Sequence, residues 1–290
     1  MPLRAKLATS VSRTAAALSR AAGRGDGSVI GGWLGLKIDP DLLAHLSSGR
    51  QIALVSGTNG KTTTTRLTTA ALSVAGEVAT NSFGANMPTG HTSALAKAGT
   101  TPYAVLEVDE HYLAQVIRST VPRVVALLNL SRDQLDRAKE VAMMAQLWRE
   151  ALAESPEVRV VANADDPMVV WAARSSPHPA WFSAGQRWTD DSWVCPECGA
   201  PIDRPAPDPS PGAADVPEWH CTGCDLRRPK AGWVVEDDGV VDPDGQWHKI
   251  ELQLPGRVNI GNAATALAVA AEFGVRPEQA LGRLRRVASV

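Results

Sequence analysis

Four cysteines arranged in two pairs are the most specific chemical signal in the sequence. They are Cys195, Cys198, Cys221 and Cys224, so each pair encloses two residues. A Cys-x-x-Cys turn presents two thiolates to one ion, and four thiolates complete the closed tetrahedral site of a structural zinc ion. The alternatives are a redox dithiol and free cysteines, and two matched pairs disfavour both. We therefore expect a zinc ribbon in which Gly199 and Gly223 permit close backbone approach.

A glycine-rich turn is the second signal. The residues Gly57-Thr58-Asn59-Gly60-Lys61-Thr62 lie between an apolar run, 52–55, and a helical pattern, 62–75. Glycines let backbone N–H groups approach a polyphosphate, and a helix N-terminus adds partial positive charge. Lys61 would neutralise the terminal phosphates of ATP, and Thr62 would bind Mg²⁺. The general motif has a further glycine where this chain has Val55, so the alternative is a glycine-rich turn with a surface lysine.

A magnesium ion beside this turn needs a carboxylate ligand. Glu107 falls in a predicted strand, 104–108, and Asp109 and Glu110 follow it. Ligands of open parallel sheets bind beyond the carboxyl ends of the strands, so an acid at this position can reach the ion. We expect Glu107 to bind Mg²⁺ and to be catalytic together with Lys61. For Asp109 and Glu110, an acidic helix start stabilised by the helix dipole is an equal alternative.

Strands alternate with helical patterns around these residues, which predicts an α/β fold with a mostly parallel sheet flanked by helices. The predicted strands are 52–55, 78–80, 104–108, 124–128, 159–162, 233–236 and 249–254. The predicted helices are 62–75, 112–119, 140–154, 168–174, 259–273 and 277–287. Five glycines between Gly23 and Gly32 are expected to break any helix that precedes them.

A change of composition marks an insertion. Eight of the twenty prolines lie between Val194 and Pro229, and six of the nine tryptophans lie between Trp181 and Trp247. Such a stretch cannot continue a parallel sheet. We expect an N-terminal helical segment, 1–45, and an ATP-binding domain, 46–290, which the zinc ribbon interrupts at 192–230.

The charge balance sets aside several classes of protein. The chain has 29 basic and 31 acidic residues, so it has no overall positive field that would hold nucleic acid or anionic lipid. Its apolar runs fall short of the roughly 18 residues that span a bilayer.

Residues 1–24 contain five basic and no acidic residues, as organelle transit peptides do. The apolar positions in this stretch favour a surface helix instead, and the cysteine usage favours a reducing, cytoplasmic compartment.

Several short motifs together resemble the central ATP-binding domain of Mur ligases. The motifs are Gly57–Thr63, Thr80-Asn81, Asn163-Ala164-Asp165-Asp166, and Pro255-Gly256 followed by Asn259 and Asn262. The resemblance covers residues 51–273. It implies ATP and Mg²⁺ held by Gly57, Thr58, Asn59, Gly60, Lys61, Thr62 and Thr63, with Glu107 as a further Mg²⁺ ligand.

The same resemblance assigns roles to asparagines. It implies that Asn259 and Asn262 lie against the adenine, for which helix N-capping is the alternative. The polar segment 81–90 would border the substrate cleft, so Asn81, Gly84 and Asn86 are candidate contacts to substrate or phosphate. An ordinary surface loop is the alternative for this segment.

The sequence departs from Mur ligases that add amino acids. Those enzymes have an Asp-His-Leu-Asp-type motif with a metal-binding histidine, whereas this chain has Gln134 within Asp133–Arg137. They also have a lysine, carbamylated by CO₂, about fifteen residues later, where this chain has Trp148 and Arg149. An arginine cannot form that carbamate. The second-metal apparatus of an amino-acid ligase is therefore expected to be absent.

With the cysteine ribbon and the stretch Glu107–Glu110, these features are similar to the MurT branch of the family. The resemblance implies amidation of the D-glutamate α-carboxylate in the lipid II stem peptide through an acyl phosphate, giving D-isoglutamine. It also implies a heterodimer with a GatD-type glutamine amidotransferase that supplies ammonia, and a substrate at the inner membrane surface. Mur ligases have a further C-terminal domain, which we expect residues 1–290 not to include.

Two other functions are kept as alternatives. One is an amino-acid-adding ligase of the Mur or folylpolyglutamate type, which the missing histidine and lysine disfavour. The other is a non-catalytic zinc-ribbon protein that binds nucleotides. Nucleic-acid binding is not expected, because the basic residues of the ribbon, Arg227, Arg228 and Lys230, form too small a cluster.

Overall fold

The sheet and its helices can be followed over most of the chain. The computed structural model describes residues 1–23, 27–81, 84–131, 138–186, 191–205 and 218–288. Its helices are α1 (Leu3–Ala21), α2 (Ser28–Ile38), α3 (Leu42–Ser47), α4 (Lys61–Leu72), α5 (Pro88–Ala98), α6 (Leu113–Thr120), α7 (Ala138–Ala153), α8 (Pro167–Ala173), α9 (Arg257–Ala271) and α10 (Pro277–Leu284). Its strands are β1 (Gln51–Ser56), β2 (Val78–Thr80), β3 (Tyr103–Glu107), β4 (Val124–Leu127), β5 (Arg159–Asn163), β6 (Pro179–Ser183), β7 (Ile202–Asp203), β8 (His220–Cys221), β9 (Trp233–Glu236), β10 (Gly239–Val241) and β11 (Trp247–Lys249).

The described residues form a nine-stranded sheet in the order β11-β10-β9-β6-β5-β4-β1-β3-β2. The seven strands from β9 to β2 run parallel, whereas β10 and β11 add an antiparallel edge. The expected mostly parallel α/β fold is thereby confirmed. Because parallel strands end at the same edge, the segments after β1 to β6 all emerge together.

Both faces of the sheet are covered, which explains its continuous apolar strands. Along β1, Ile52 and Leu54 pack into one core with α3, α5, α6, α7 and α8, whereas Ala53 and Val55 pack into the other core with α4, α9 and α10. All four side chains are buried. The apolar run 52–55 of β1 therefore contributes side chains to both cores.

Several expected elements differ in the structure. The helix α5 was expected as loop up to Gly90, yet it begins at Pro88, a residue that favours the first position of a helix. The strand β6 was not expected, and it begins with Pro179, where a strand tolerates proline. The strand expected over 249–254 is wrong beyond Lys249, because β11 ends there.

Of the glycines before residue 33, Gly23 and Gly27 lie in the expected break between α1 and α2, whereas the later ones lie within α2. The helix α1 does end at Ala21, but α2 runs through Gly31, Gly32 and Gly35. A Cβ atom at Gly31 would lie 2.7 Å from the carbonyl oxygen of Ser12. One at Gly32 would overlap the carbonyl of Thr89 in α5. These glycines are required for close helix packing rather than for a helix break.

Replacing Gly32 with alanine should therefore destabilise the fold by about 1–3 kcal/mol or more, since backbone must move to admit the methyl group. The matched control is Gly282→Ala in α10, where a Cβ would meet no atom within 4 Å. That control should be neutral or stabilising by up to about 1 kcal/mol, because alanine favours helix. Urea unfolding of both variants measures the difference. Equal effects of the two substitutions would contradict the packing argument.

Candidate active site and cysteine module

The glycine-rich turn leaves β1 and starts α4, as expected from its sequence. Gly57 has a φ of 147°, and a Cβ there would lie 2.8 Å from that of Leu128. Gly60, with a φ of 85°, is the N-cap residue of α4, and a Cβ there would lie 3.0 Å from Oδ1 of Asn262. Both positions therefore require glycine, one for close approach to β4 and one for a left-handed backbone.

Residues directly after β4 hold the turn in place. The amide N–H groups of Thr58 and Asn59 donate to the backbone oxygen and to Oδ1 of Asn129, each at 2.9 Å. In return Nδ2 of Asn129 donates to the carbonyl of Asn59 at 3.0 Å, and Ser131 bonds the side chains of Thr58 and Asn59. These two amides are thus occupied by protein. Sequence reasoning missed Asn129 and Ser131, although their place at the end of a strand beside β1 was a usable signal.

Lys61 lies folded over the turn. Its Nζ donates to the carbonyl oxygens of Gly57 at 2.6 Å and Thr58 at 3.0 Å, and to Oε2 of Glu110 at 3.0 Å. The indole of fully buried Trp148 in turn donates to the backbone oxygen of Glu110 at 3.0 Å. Of the two acids after β3, Asp109 and Glu110, the second is therefore the partner of the lysine. Trp148 supports this pair from the stretch where amino-acid ligases have their lysine.

The start of α4 suits an anion. No side chain caps its first turn, and no acidic residue lies there. Thr62 and Thr63 occupy this turn and are partly exposed, whereas Thr64 is buried and its hydroxyl donates to Oδ1 of Asn262 at 3.2 Å. An uncapped helix start with an ammonium group beside it attracts phosphate.

Glu107 is held at the end of β3 by its backbone. Asn81 accepts from the N–H of Glu107 and donates to its carbonyl, both at 2.8 Å, and Nε2 of His91 contacts the same carbonyl at 2.8 Å. Burial lowers the pKa of His91 to about 4, so its ring is neutral and donates this bond. His91 was not anticipated from the sequence.

The side chain of Glu107 fits the expected magnesium ligand. The residue is 3% exposed, and its Oε2 atom is buried without a hydrogen-bond partner in the described part of the chain. In the register of the sheet, Glu107 lies opposite Val55, one residue before the end of β1. A buried, unpartnered carboxylate oxygen beside the phosphate turn suits a hard cation, which prefers oxygen ligands.

The three expected substrate residues lie between β2 and α5. The Asn81 amide is buried, and it also donates to the carbonyl of Ala85 at 2.8 Å. Gly84 adopts a φ of 75°, and the carbonyl of Asn86 accepts from the N–H of Asp109 at 2.9 Å. The contacts of Asn81 position Glu107 and its own loop, so a direct contact of these residues to substrate stays a prediction.

A cavity of about 280 Å³ lies beside the phosphate turn. It is lined by Leu128, Asn129, Asn163, Phe182, Ala184, Gly185, Gln186, Arg257, Val258, Gly261, Asn262 and Thr265. Asn262 thus reaches both the cavity and the turn. Asn259 is not part of the lining, and it accepts from Nδ2 of Asn262 at 3.1 Å while donating to the carbonyl of Pro255. The mixed apolar and amide lining is typical of a small-molecule site.

One wall of this cavity depends on Asp165. Its carboxylate accepts from the N–H groups of Ala184 at 3.1 Å and Gln186 at 3.0 Å, and from the hydroxyl of Ser183 at 2.9 Å. Arg228 donates to Oδ1 of Asp165 from Nε at 3.2 Å and from Nη2 at 3.1 Å. The side chains of Arg228 and Asp165 are 7% and 0% exposed, so almost no solvent screens the two charges.

The neighbouring Asp166 has a different role. It caps α8 by accepting from the N–H groups of Met168 and Val169, and it also accepts from that of Leu130 after β4. Burial raises the pKa of Asp166 to about 6 although these three donors favour its ionised form. Within the Asn-Ala-Asp-Asp motif, Asp165 therefore supports the cavity wall and Asp166 caps α8.

The four cysteines meet as the sequence predicted. Their Sγ atoms all lie within 4.8 Å of one another, with 3.6 Å between Cys195 and Cys224 and 3.4 Å between Cys198 and Cys221. A tetrahedral zinc ion with bonds of about 2.3 Å requires sulfurs about 3.8 Å apart. A Cβ at Gly223 would lie 2.6 Å from that of Ala200, and Gly199 has a φ of 76°. Both glycines are thus needed for the two turns, and the donor set fits a metal ion.

The cysteine module packs on α8 and the end of β5. The buried indole of Trp219 donates to the carbonyl of Ala164 at 3.0 Å, and the indole of Trp171 donates to Glu197. Arg174 and Asp225 form a further ion pair at 2.8 Å, which is exposed. Together with Arg228 and Asp165, these contacts join the module to the cavity wall.

Comparison with known proteins agrees with this architecture. Residues 55–190 match the Mur ligase middle domain. The matched residues are just under half of the chain. The match ends within the segment between β6 and the cysteine module. Asp133–Arg137, with the expected departure at Gln134, lies outside the described residues.

The curated relatives of the chain include a MurT subunit and an amino-acid ligase, the two kinds of protein that the motifs suggested. The chain is 31% identical to the lipid II isoglutaminyl synthase (glutamine-hydrolyzing) subunit MurT of Streptococcus pneumoniae, over 86% of this chain and 59% of that protein. It is 31% identical to the UDP-N-acetylmuramate–L-alanine ligase of Paenarthrobacter aurescens, over 84% of this chain and 45% of that protein. The chain thus spans three fifths or less of the length of these relatives.

A solved structure shares the fold. The pseudomurein peptide ligase type C of Methanothermus fervidus superposes with a TM-score of 0.67 at 19% identity, over 87% of this chain and 52% of that one. The expected Mur ligase fold is thereby confirmed for the sheet and its helices.

Replacing Arg228 with methionine should lower the free energy of unfolding by about 3–5 kcal/mol, because Asp165 would be left as an unpaired buried charge. The matched control is Arg174→Met, which removes an exposed ion pair between the same two parts of the molecule and should cost at most about 1 kcal/mol. Urea unfolding followed by tryptophan fluorescence measures both. A similar, small cost for both variants would show that the Arg228 pair does not support the wall.

Proposed function

We propose that this chain provides the ATP-binding part of an amide ligase that converts the D-glutamate α-carboxylate of the lipid II stem peptide into D-isoglutamine. The observation that carries the proposal is the juxtaposition of three groups at the carboxyl edge of the sheet. These are the uncapped start of α4, the ammonium group of Lys61 and the buried, unpartnered oxygen of Glu107. They suit transfer of a phosphoryl group between two anions.

The chain's own residues divide the binding task. The phosphates would bind at the start of α4, formed by residues 60–63. The shape of the turn before it, residues 57–59, is fixed by contacts with Asn129. Asn262 offers its amide to the base in the 280 Å³ cavity, and Asn259 orients that amide. Thr62 and Glu107 would hold Mg²⁺. A bound magnesium ion supplies positive charge that offsets the phosphate oxygens.

The reaction would proceed in two steps, phosphoryl transfer to the carboxylate and then attack by ammonia. An oxygen of the substrate carboxylate forms a bond to the γ-phosphorus, and the bond between that phosphorus and the β-γ bridging oxygen breaks, so ADP leaves. Lys61 stabilises the charge on the transferred group. Ammonia then forms a bond to the carbonyl carbon of the acyl phosphate, the C–O bond to phosphate breaks, and the nitrogen loses a proton. The products are an amide, ADP and phosphate.

A heterodimer with a GatD-type glutaminase completes the proposal. The support is the similarity to a protein that is named as a glutamine-hydrolyzing synthase subunit. Ammonia is small and needs few contacts, which agrees with Trp148 supporting Glu110 where amino-acid ligases have a lysine. Zn²⁺ in the cysteine module would have a structural role, since four thiolates leave no open position.

The second candidate is an amino-acid-adding ligase. It is supported by the similarity to an L-alanine ligase over 84% of the chain. The absence of a lysine from 140–153 argues against it, because Trp148 supports Glu110 there and the neighbouring Arg149 is turned away to the carbonyl of Trp171 at 2.6 Å.

The function is tested with this chain joined to a Mur ligase C-terminal domain, a GatD-type subunit, ATP, Mg²⁺, glutamine and lipid II. Mass spectrometry should show an amidated stem peptide, and Lys61→Ala should lower its rate of formation at least about a hundredfold. The control is Lys249→Ala, which removes an exposed lysine paired with Glu251. Product that requires an added amino acid would favour the second candidate. Nucleotide binding without any turnover would indicate a non-catalytic protein.

The metal proposal has a separate measurement. Protein purified without chelator should contain about one zinc per chain by elemental analysis, as one Cys₄ site requires. Cys198→Ser should lose most of this metal, whereas Thr222→Ala, an exposed residue beside Cys221, should retain it. Metal-free wild-type protein would refute the assignment.

A further inference from the structure

The helix α1 has its large apolar side chains on the outside. The side chains packed toward the protein are small, namely Ala5, Ala8, Ser12, Ala16 and Ser19. The outward ones include Leu3, Leu7 and Leu18, which are 85%, 59% and 65% exposed. A helix that only covers a soluble core has the reverse arrangement. The exposed leucines therefore indicate that this side of α1 contacts another apolar surface.

The helix α2 shows the same feature. Its residues are apolar apart from Ser28 and Lys37, and its glycines pack inward between α1 and α5. Its outward residues Val29, Ile30 and Trp33 are 59%, 45% and 51% exposed. The contacts of Gly31 with Ser12 and Ala16 and of Gly35 with Ala8 and Ser12 show that α1 and α2 run antiparallel. We call the six outward residues of the two helices, Leu3, Leu7, Leu18, Val29, Ile30 and Trp33, the outer apolar surface.

Positive charge accompanies this surface. Residues 1–38 contain six of the 29 basic residues and only one of the 31 acidic residues, which leaves 23 basic and 30 acidic residues in the remainder. Lys6, Arg13 and Arg20 recur every seven residues and so follow one side of α1, from which Arg13 also donates to the carbonyl of Ala96 in α5 at 2.5 Å. Lys37 lies 5.2 Å from the ring centre of Trp33. The protein is thus cationic where it is apolar and anionic elsewhere.

We infer that the outer apolar surface docks in the plane of a bilayer that contains anionic lipids. Leucine and tryptophan side chains enter the boundary of such a bilayer while lysine and arginine contact its headgroups. Among the described residues, no helix is both long and apolar enough to cross a membrane. The excess of negative charge in the remainder of the chain keeps the other faces away from anionic headgroups.

The surface also lies close to the candidate site. Gly32 of α2 packs against Thr89, the second residue of α5, and the start of α5 overlaps the end of the candidate substrate segment, 81–90. Docking would bring that segment toward the membrane. The docking itself does not rest on the proposed reaction, because it depends on α1 and α2 alone.

Co-sedimentation of the full chain with vesicles tests the inference. Vesicles of phosphatidylglycerol and phosphatidylcholine in equal parts should bind the protein, and pure phosphatidylcholine should bind it at least about tenfold more weakly. The double variant Leu7→Gln and Leu18→Gln should lower binding to the mixed vesicles at least about tenfold. The double variant Lys6→Glu and Lys37→Glu should do the same through charge. No nucleotide or lipid II is present, so failure here is separate from failure of the reaction.

The matched control is Met143→Gln, which removes an exposed apolar side chain from α7. It should bind vesicles as the wild type does, and circular dichroism should show the same fold for all variants. Absence of vesicle binding by the wild type, or equal binding by the leucine variant and the control, would overturn the inference. Light scattering that shows self-association lost only in the leucine variant, without vesicle binding, would assign the surface to a contact between copies of the chain and would overturn it too.

Discussion

The close approach of the 57–60 turn to the end of β4 is the constraint on which the candidate site depends. Gly57 permits that approach, and Asn129 then holds the turn through both its backbone and its side chain. The turn therefore has its shape before a ligand binds, so ligand binding does not include the entropic cost of ordering the turn. Because β1 lies between β3 and β4, the same strand order also places Glu107 beside the turn.

Charges around the site are held by partners from distant parts of the chain. Lys61 is paired with Glu110, whose backbone is fixed by Trp148 in α7. Asp165 is paired with Arg228, which follows the last cysteine by four residues. A buried ion pair contributes little net stability, but the loss of one partner is costly. Such pairs therefore specify the arrangement of the cavity wall and the module more than they strengthen the fold.

Sequence reasoning identified the parts whose chemistry is local. The strand, glycine turn and helix at 51–72 and the two Cys-x-x-Cys turns could be predicted, because each signal lies within a few adjacent residues. Contacts between distant segments could not be predicted. The roles of Asn129, His91 and Arg228 depend on which strands lie side by side, and one sequence does not show strand order. A helical segment was expected over 1–45, but the course of α2 through Gly31, Gly32 and Gly35 was not, because glycines indicate a break locally, whereas the packing of α1 and α5 stabilises a helix there.

The insertion of the cysteine module between β6 and β9 has a consequence for how the sheet assembles. These strands are parallel neighbours, yet 49 residues separate Ser183 from Trp233. Closing so long a connection is slow, since its ends must meet by chance from a wide range of chain conformations. Once Cys195 and Cys224 share a site, only 11 residues lead into the module and 8 lead out of it. A metal ion bound by the four cysteines would thus shorten the search by which β9, β10 and β11 join the other six strands of the sheet.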